Sequence, residues 1–293
     1  MPDTPARPPS GMEGINGLTA ASFVSAFGDL FEHSPWVAVA VARSRPFTTA
    51  RMMHDAMMAH VRQAAPDDQL ALVRAHPGLA GQEAADGVLT ADSTVEQSRL
   101  GFTRLTRADA EDLAGLNLRY RERYGFPCIV ALARHATRES VVEAMRRRLL
   151  ADPADEQAIA IEEIGHITAA RLAGRLGRTG GALSIHALDI SRGGPAPDLA
   201  FELHRNDGGG WRCLAARRTD ASGRTGGPLL SGLDMEPAAY RIDYHVGDYH
   251  RAQGEGGSFL DIVPIAFRIS EPGVHYHIPI QFTPWAYATY RGS

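Results

Sequence analysis

The sequence predicts two domains of different class, an all-α N-terminal domain followed by an all-β, sandwich-type C-terminal domain. Three observations carry this expectation. At 293 residues the chain is long enough for two ordinary cores. From about Leu18 to Leu176 apolar residues recur at helical spacing. After LAGRLGRTGG the period changes to two, as strands require.

Taken in order, MPDTPARPPSGMEG (1–14) reads as a disordered tail and lacks the apolar centre of a secretory signal. The helical domain runs over 15–177. Phe23, Val24, Phe27, Leu30 and Phe31 form one stripe, and Leu113, Leu116, Tyr120 and Tyr124 another. Thr19, Thr106 and Thr137 stand at N-cap positions, and Gly125 followed by Pro127 ends the helix before it. Residues 178–182 read as a linker. In 183–293 the alternating runs are Leu199, Phe201, Leu203; Tyr240, Ile242, Tyr244, Val246; and Ile265, Phe267, Ile269. Glycine-rich turns divide them into roughly seven short strands, as in an antiparallel sandwich, with a brief helix near GDYHRAQG.

Composition excludes several functions. No run approaches the ~20 apolar residues that span a bilayer, so no membrane partner is expected. A formal charge of −4 with no basic stripe argues against nucleic acid. The chain contains no lysine, which rules out Schiff-base chemistry and the usual attachment of pyridoxal phosphate. Cys128 and Cys213 lie far apart without metal-ligand spacing; they read as unpaired, small buried hydrophobes in a reducing compartment. With no S-K-L ending either, the expected location is the cytoplasm.

Strand parity singles out candidate chemistry. In LSIHALD, Leu183 and Ile185 share one face, leaving Ser184 and His186 on the other. In HYHIPIQF, Tyr276, Ile278, Ile280 and Phe282 are apolar-side, with His275, His277 and Pro279 opposite. Outward histidines fit a solvated surface. The H-x-H spacing also suits two metal ligands, but a third is needed and neither His245 nor His250 has a spacing that demands membership. In the helical half, Pro77 and Gly78 set His76 at a loop edge, and Ser93 with Glu96 has the spacing of a capping box. Arg171 falls between Ile164 and Ile167 on one side and Ile161 and Leu172 on the other. A guanidinium on an apolar stripe needs an anion, either a ligand or a buried carboxylate. Arg175, nearer the helix end, can reach water.

LSIHALDISRGGPA, SGR at 222–224, YRIDY, HYHIPIQFTP and the terminal YRGS resemble the transthyretin-related 5-hydroxyisourate hydrolases, over essentially all of 183–293. The resemblance implies a homotetramer with its catalytic groups lining a channel between subunits. It implies catalytic His186, Arg224 and His277, with Tyr290, Arg291, Gly292 and Ser293 shaping the pocket. Ile185 stands where the family usually has threonine, and Ala187 where it often has valine. FGDLFEHSPWVA, LVRAHPGLAG, DSTVEQSRLGF, LNLRYRERYGFPCIV and EEIGHITAARLAGRL resemble the 2-oxo-4-hydroxy-4-carboxy-5-ureidoimidazoline (OHCU) decarboxylases over roughly 15–176. This second resemblance implies His76 as catalytic imidazole, Glu96 as its carboxylate partner, and Pro77, Ser93, Ile129 and Arg171 as substrate contacts. Cys128 replaces the phenylalanine usual after GFP.

Together the resemblances imply conversion of 5-hydroxyisourate to (S)-allantoin by hydrolysis and then decarboxylation. Neither step implies a metal or other cofactor. The implied partners are the two small substrates and further copies of the chain, the helical domain pairing as well. A metal-dependent cyclic amidohydrolase and a non-catalytic, transthyretin-like ligand carrier are the alternatives.

Overall fold

The computed structural model of the chain describes residues 9, 11–79, 96–102, 104–254 and 258–292. It divides into two compact units, Met1–Leu176 and Gly177–Ser293. Among the described residues the first is helical and the second strand-rich.

The helices of the first unit are α1 (Met12–Asn16), α2 (Ala20–Phe27), α3 (Trp36–Val41), α4 (Ala50–Gln63), α5 (Pro66–Ala75), α6 (Arg107–Tyr124), α7 (Arg138–Arg148) and α8 (Pro153–Arg175). Helix α1 starts inside the stretch expected to be a tail; residues 1–8 and 10 of that stretch lie outside the described residues. The caps follow the sequence signals. Thr19, Thr106 and Thr137 accept from the backbone N–H groups of Ser22, Asp109 and Ser140, each satisfying an otherwise unbonded donor. Gly125 closes α6 at φ 75°, a left-handed conformation that glycine adopts without a Cβ clash. The stripe begun by Phe23 and Phe27 outlasts its helix. α2 stops at Phe27, yet Leu30 and Phe31 are also buried, because the turn after Gly28 folds back onto the core. Burying each such ring stabilises the unit by ~2–3 kcal/mol. The 23-residue α8 packs against α4, α5 and α6, and buries Ile161, Ile164 and Leu172. Arg171 lies on that same buried stripe.

In the second unit two sheets enclose one core. β2 (Gly194–Pro195), β1 (Ala182–Asp189), β8 (His275–Phe282) and β9 (Tyr287–Thr289) form the first in that order, with β5 (Leu230–Ser231) also on β1. β4 (Trp211–Arg218), β3 (Ala200–Asn206), β6 (Ala238–His245) and β7 (Ile262–Ile269) form the second. The sandwich is not wholly antiparallel as expected. β1 and β8 run parallel from Ala182↔His275 to Asp189↔Phe282, since β8 returns from the other sheet to lie beside the first strand. Parity holds along β1, where Leu183, Ile185, Ala187 and Asp189 are buried and the residues between them are not. Val246, expected to extend a strand, instead begins helix α9 (Val246–Ala252), the brief helix anticipated at GDYHRAQG.

Two expectations need correction here. The segment read as a linker is packed. Arg178 is fully buried, donating to both carboxylate oxygens of Glu236 at 2.8 and 2.9 Å and to the Leu233 carbonyl at 3.1 Å. Gly181 approaches the Pro272 carbonyl so closely that a Cβ would lie 1.8 Å from its oxygen. The polar, glycine-rich composition that suggested a linker therefore serves a buried ion pair and a close backbone contact. Of the two free cysteines, Cys128 is buried, with its thiol pushed up to about 12 by burial, but Cys213 is exposed on β4.

Candidate active sites

In the helical unit, His76, Pro77, Glu96, Ile129 and Arg171 line one half-open pocket, together with Cys128 and Ile167. They arrive from separate elements: His76 caps the C-terminus of α5, Glu96 lies in a helical stretch described over 96–99, Ile129 follows α6 and Arg171 comes from α8. Ser93 lies outside the described residues. The His76 ring is almost fully buried, with Nδ1 3.3 Å from the Leu72 carbonyl. A carbonyl only accepts, so Nδ1 carries the proton and the lone pair is left on Nε2. That nitrogen is buried and has no hydrogen-bond partner among the described residues. Burial, and then the Arg171 guanidinium, push the imidazole down to about 4, against an upward pull from Glu32. His76 is thus neutral at pH 7.

Glu96 does not pair with His76 as expected. Its carboxylate is bidentate on Arg171, with Nε to Oε1 at 2.9 Å and Nη2 to Oε2 at 3.0 Å. Fork-to-fork geometry favours guanidinium over imidazole as the partner of a carboxylate. Arg171 also donates to Glu32 Oε1 at 3.1 Å, and Glu32 is 1% exposed. So the anion that Arg171 requires is supplied by the protein itself. Glu32 escaped the sequence reading, although it lies in FEHSPWVA; its signal is a carboxylate directly after the buried Phe31. The backbone beside Ile129 is pinned as well. Arg148 Nη1 donates to the Ile129 carbonyl, and Glu163 Oε2 accepts from the Ala131 N–H at 2.6 Å.

In the strand-rich unit the parallel β1/β8 pair sets Ser184 directly beside His277 on the face away from the core. Ser184 Oγ bridges His275 Nε2 at 2.7 Å and His277 Nδ1 at 2.9 Å. Arg224 joins them from a loop organised by Asp220. The Asp220 carboxylate accepts from the N–H groups of Ser222, Arg224 and Gly226 at 2.9, 3.1 and 3.0 Å. The same loop is tied to β1 by the Ala187 N–H donating to the Gly223 carbonyl at 2.8 Å. His186 is held below its ordinary value by partial burial and then by Arg224. His277 is lowered by burial, by Arg224, by His275 and by His186. The three residues are therefore electrostatic neighbours, and both imidazoles are biased toward the neutral form. Sequence parity had placed Ser184 on this face; its bridging role, and the part played by Asp220, came only from the fold.

The terminal residues divide. Gly292 pairs with His277, donating its N–H to the His277 carbonyl at 2.8 Å, and packs against the imidazole. The Arg291 guanidinium stacks on the Tyr276 ring at 4.3 Å. Tyr290 is 59% exposed and Ser293 lies outside the described residues.

Comparison with known proteins places each unit in a family. The OHCU decarboxylase family matches residues 16–173, and the HIUase/Transthyretin family matches residues 183–292. The chain is 37% identical over 161 residues to an OHCU decarboxylase of Amia calva, 55% of this chain and 91% of that protein. It is 40% identical over 116 residues to a 5-hydroxyisourate hydrolase of Ralstonia nicotianae, 39% of this chain and 99% of that protein. The chain belongs to both families. Its first unit is an OHCU decarboxylase-family domain and its second a HIUase/Transthyretin-family domain, each present at nearly the full length of the relatives it matches. A crystal structure of (S)-allantoin synthase is 30% identical, with 97% of this chain and 100% of that chain covered, at a TM-score of 0.49. No described helix is long and apolar enough to cross a membrane.

Proposed function

We propose that this chain converts 5-hydroxyisourate to (S)-allantoin in two steps, hydrolysis in the strand-rich unit followed by decarboxylation in the helical unit. One observation carries the reading: two family memberships, each nearly complete, name enzymes whose substrates follow one another, and they occur in one chain.

For hydrolysis, His277 and His186 are assigned as the imidazoles that activate water and return its proton to the leaving nitrogen, and Arg224 as the cation that holds the anionic substrate. Water attacks the ring carbonyl while one imidazole takes its proton. The bond from that carbonyl carbon to the ring nitrogen then breaks, and the nitrogen is protonated. Arg224 offsets charge developing on the carbonyl oxygen. Supporting this is the lowered proton affinity of both imidazoles, which keeps a lone pair available at neutral pH. Within a single chain these groups are only partly covered, with Trp285, Tyr287 and Tyr290 exposed on the same terminal segment. Association into a homotetramer would shield them from bulk solvent and bring the YRGS segment into the wall.

For decarboxylation, His76 is assigned as the group that accepts a hydrogen bond or a proton from the substrate hydroxyl through Nε2. Pro77, Ile129, Arg171 and, from the sequence resemblance, Ser93 are assigned as substrate contacts. The bond to the carboxylate breaks, its electron pair is taken up by the imidazoline ring, and protonation on one face sets the product's configuration. The ring is its own electron sink, so the step calls for no lysine. Glu96 and Glu32 orient the Arg171 guanidinium at the pocket wall, where its N–H groups serve as hydrogen-bond donors.

The test uses urate with a urate oxidase, following both steps by circular dichroism. His76→Ala is expected to leave hydrolysis intact and yield racemic allantoin; His277→Ala is expected to do the reverse. Loss of both activities in either variant, with the fold intact, would overturn the assignment of separate sites.

A further inference from the structure

Away from both candidate sites, the outer face of the β4–β3–β6–β7 sheet gathers a thiol, an imidazole and two carboxylates. Glu202 and His204 lie two apart on β3 and so share a face. Asp243 on β6 is the register partner of Glu202. His204 Nε2 lies 3.1 Å from Glu202 Oε2 and 3.3 Å from Asp243 Oδ2, and the imidazole is largely buried.

The thiol is brought there by an irregularity in the ladder. β3 and β4 pair in step from Ala200↔Arg218 to Leu203↔Ala215, and then His204 pairs with Cys213, leaving Leu214 as an extra residue. A regular ladder would set Leu214 opposite His204. The β-bulge instead lets Leu214 pack against the core and re-aims Cys213 toward the imidazole. Ala216, opposite Glu202, adds little bulk on that side. The ligand-capable atoms of Glu202, His204 and Cys213 all lie within 4.8 Å of one another.

We propose that Cys213, His204 and Glu202 form a binding site for a divalent transition metal, with zinc the ion they fit. One sulfur, one nitrogen and one oxygen donor suit a tetrahedral zinc centre. Asp243 is already held by Arg241 at 2.8 and 3.1 Å, so the fourth position falls to water. Binding would release the thiol proton and weaken as pH falls. Its consequence is structural. The ion ties the exposed edge strand β4 to β3, on the opposite sheet from His186 and His277. Sequence spacing could not reveal this, because the ligands sit on neighbouring strands and depend on the bulge. It departs from the expectation of no metal, and it does not rest on the proposed enzymatic function.

The full chain, stripped with a chelator, is titrated with Co²⁺ and then Zn²⁺. One equivalent of Co²⁺ should produce a thiolate-to-cobalt charge-transfer band with tetrahedral d–d bands, and Zn²⁺ should displace it. Cys213→Ser, at an exposed position, should lose that band and bind Zn²⁺ at least ~100-fold more weakly. Cys128→Ser should keep both. Zn²⁺ should raise the melting temperature of the strand-rich unit in the wild type but not in Cys213→Ser. Absence of a thiolate band in the wild type would overturn the proposal, as would its survival in Cys213→Ser. So would unchanged zinc affinity in Cys213→Ser, which would assign the ion to the His275 and His277 face.

Discussion

Replacing Gly292 with alanine tests whether the end of the chain positions His277. A Cβ at 292 would stand 2.7 Å from His277 Cδ2 and 3.2 Å from its Cβ. Ordinary contact begins near 3.4 Å, so the imidazole must give way by about 0.7 Å. It cannot do so freely, because Nδ1 is bonded to Ser184 Oγ at 2.9 Å and the strand behind it is paired along its length with β1. The other escape is for the terminal segment to lift, which breaks the Gly292 to His277 backbone bond. A misplacement of ~1 Å in a catalytic group costs on the order of 100-fold in rate. A shift of this size should therefore lower kcat for hydroxyisourate hydrolysis by ~10- to 100-fold, or about 1.4–2.7 kcal/mol of barrier. Stopped-flow absorbance on freshly generated 5-hydroxyisourate gives kcat and KM separately, and circular dichroism follows decarboxylation in the same variant. Decarboxylation should stay within about twofold of wild type, because Gly292 belongs to the other unit. Wild-type hydrolysis by Gly292→Ala would refute the reasoning, since it would mean that the terminal residues do not press on a catalytic imidazole.

Acid should destabilise the helical unit before its carboxylates are protonated. Folding lowers both His76 and His54 to about 4 from an ordinary 6.5, so between those values the unfolded chain binds more protons. Stability is then lost as pH falls from 6.5 toward 4, by about 3 kcal/mol for each histidine at most, and urea melts at pH 7 and pH 5 read it directly. His54→Gln should flatten that dependence; an unchanged slope would count against the buried neutral state. The two carboxylates on Arg171 should separate by burial. Glu32→Gln removes a fully buried charge and is expected to cost roughly 3–5 kcal/mol of stability. The Glu96 side chain is 30% exposed, so Glu96→Gln should cost less and act chiefly on decarboxylation; denaturant melts beside kinetics distinguish the two.

The sequence by itself determined the class of each unit, because helical and strand periods are written into the order of apolar residues and need no partner to be read. It also determined the caps at Thr19, Thr106 and Thr137, since capping is satisfied within a few residues of the cap. Parity along β1 and β8 put His186 and His277 on one side of the sheet for the same local reason. Tertiary structure alone decided what those groups touch. Arg171 visibly needed an anion, but only the packing of α8 against distant segments chose Glu32 and Glu96, and so took Glu96 from His76. Arg178 looked like part of a flexible joint because composition registers charge and glycine, not the Glu236 carboxylate lying 58 residues further along. Ser184 bridging two histidines, and Cys213 reaching His204, depend on which strands are neighbours and in what register. Register is settled by the whole sandwich burying its core at once, and no single stretch of chain contains it.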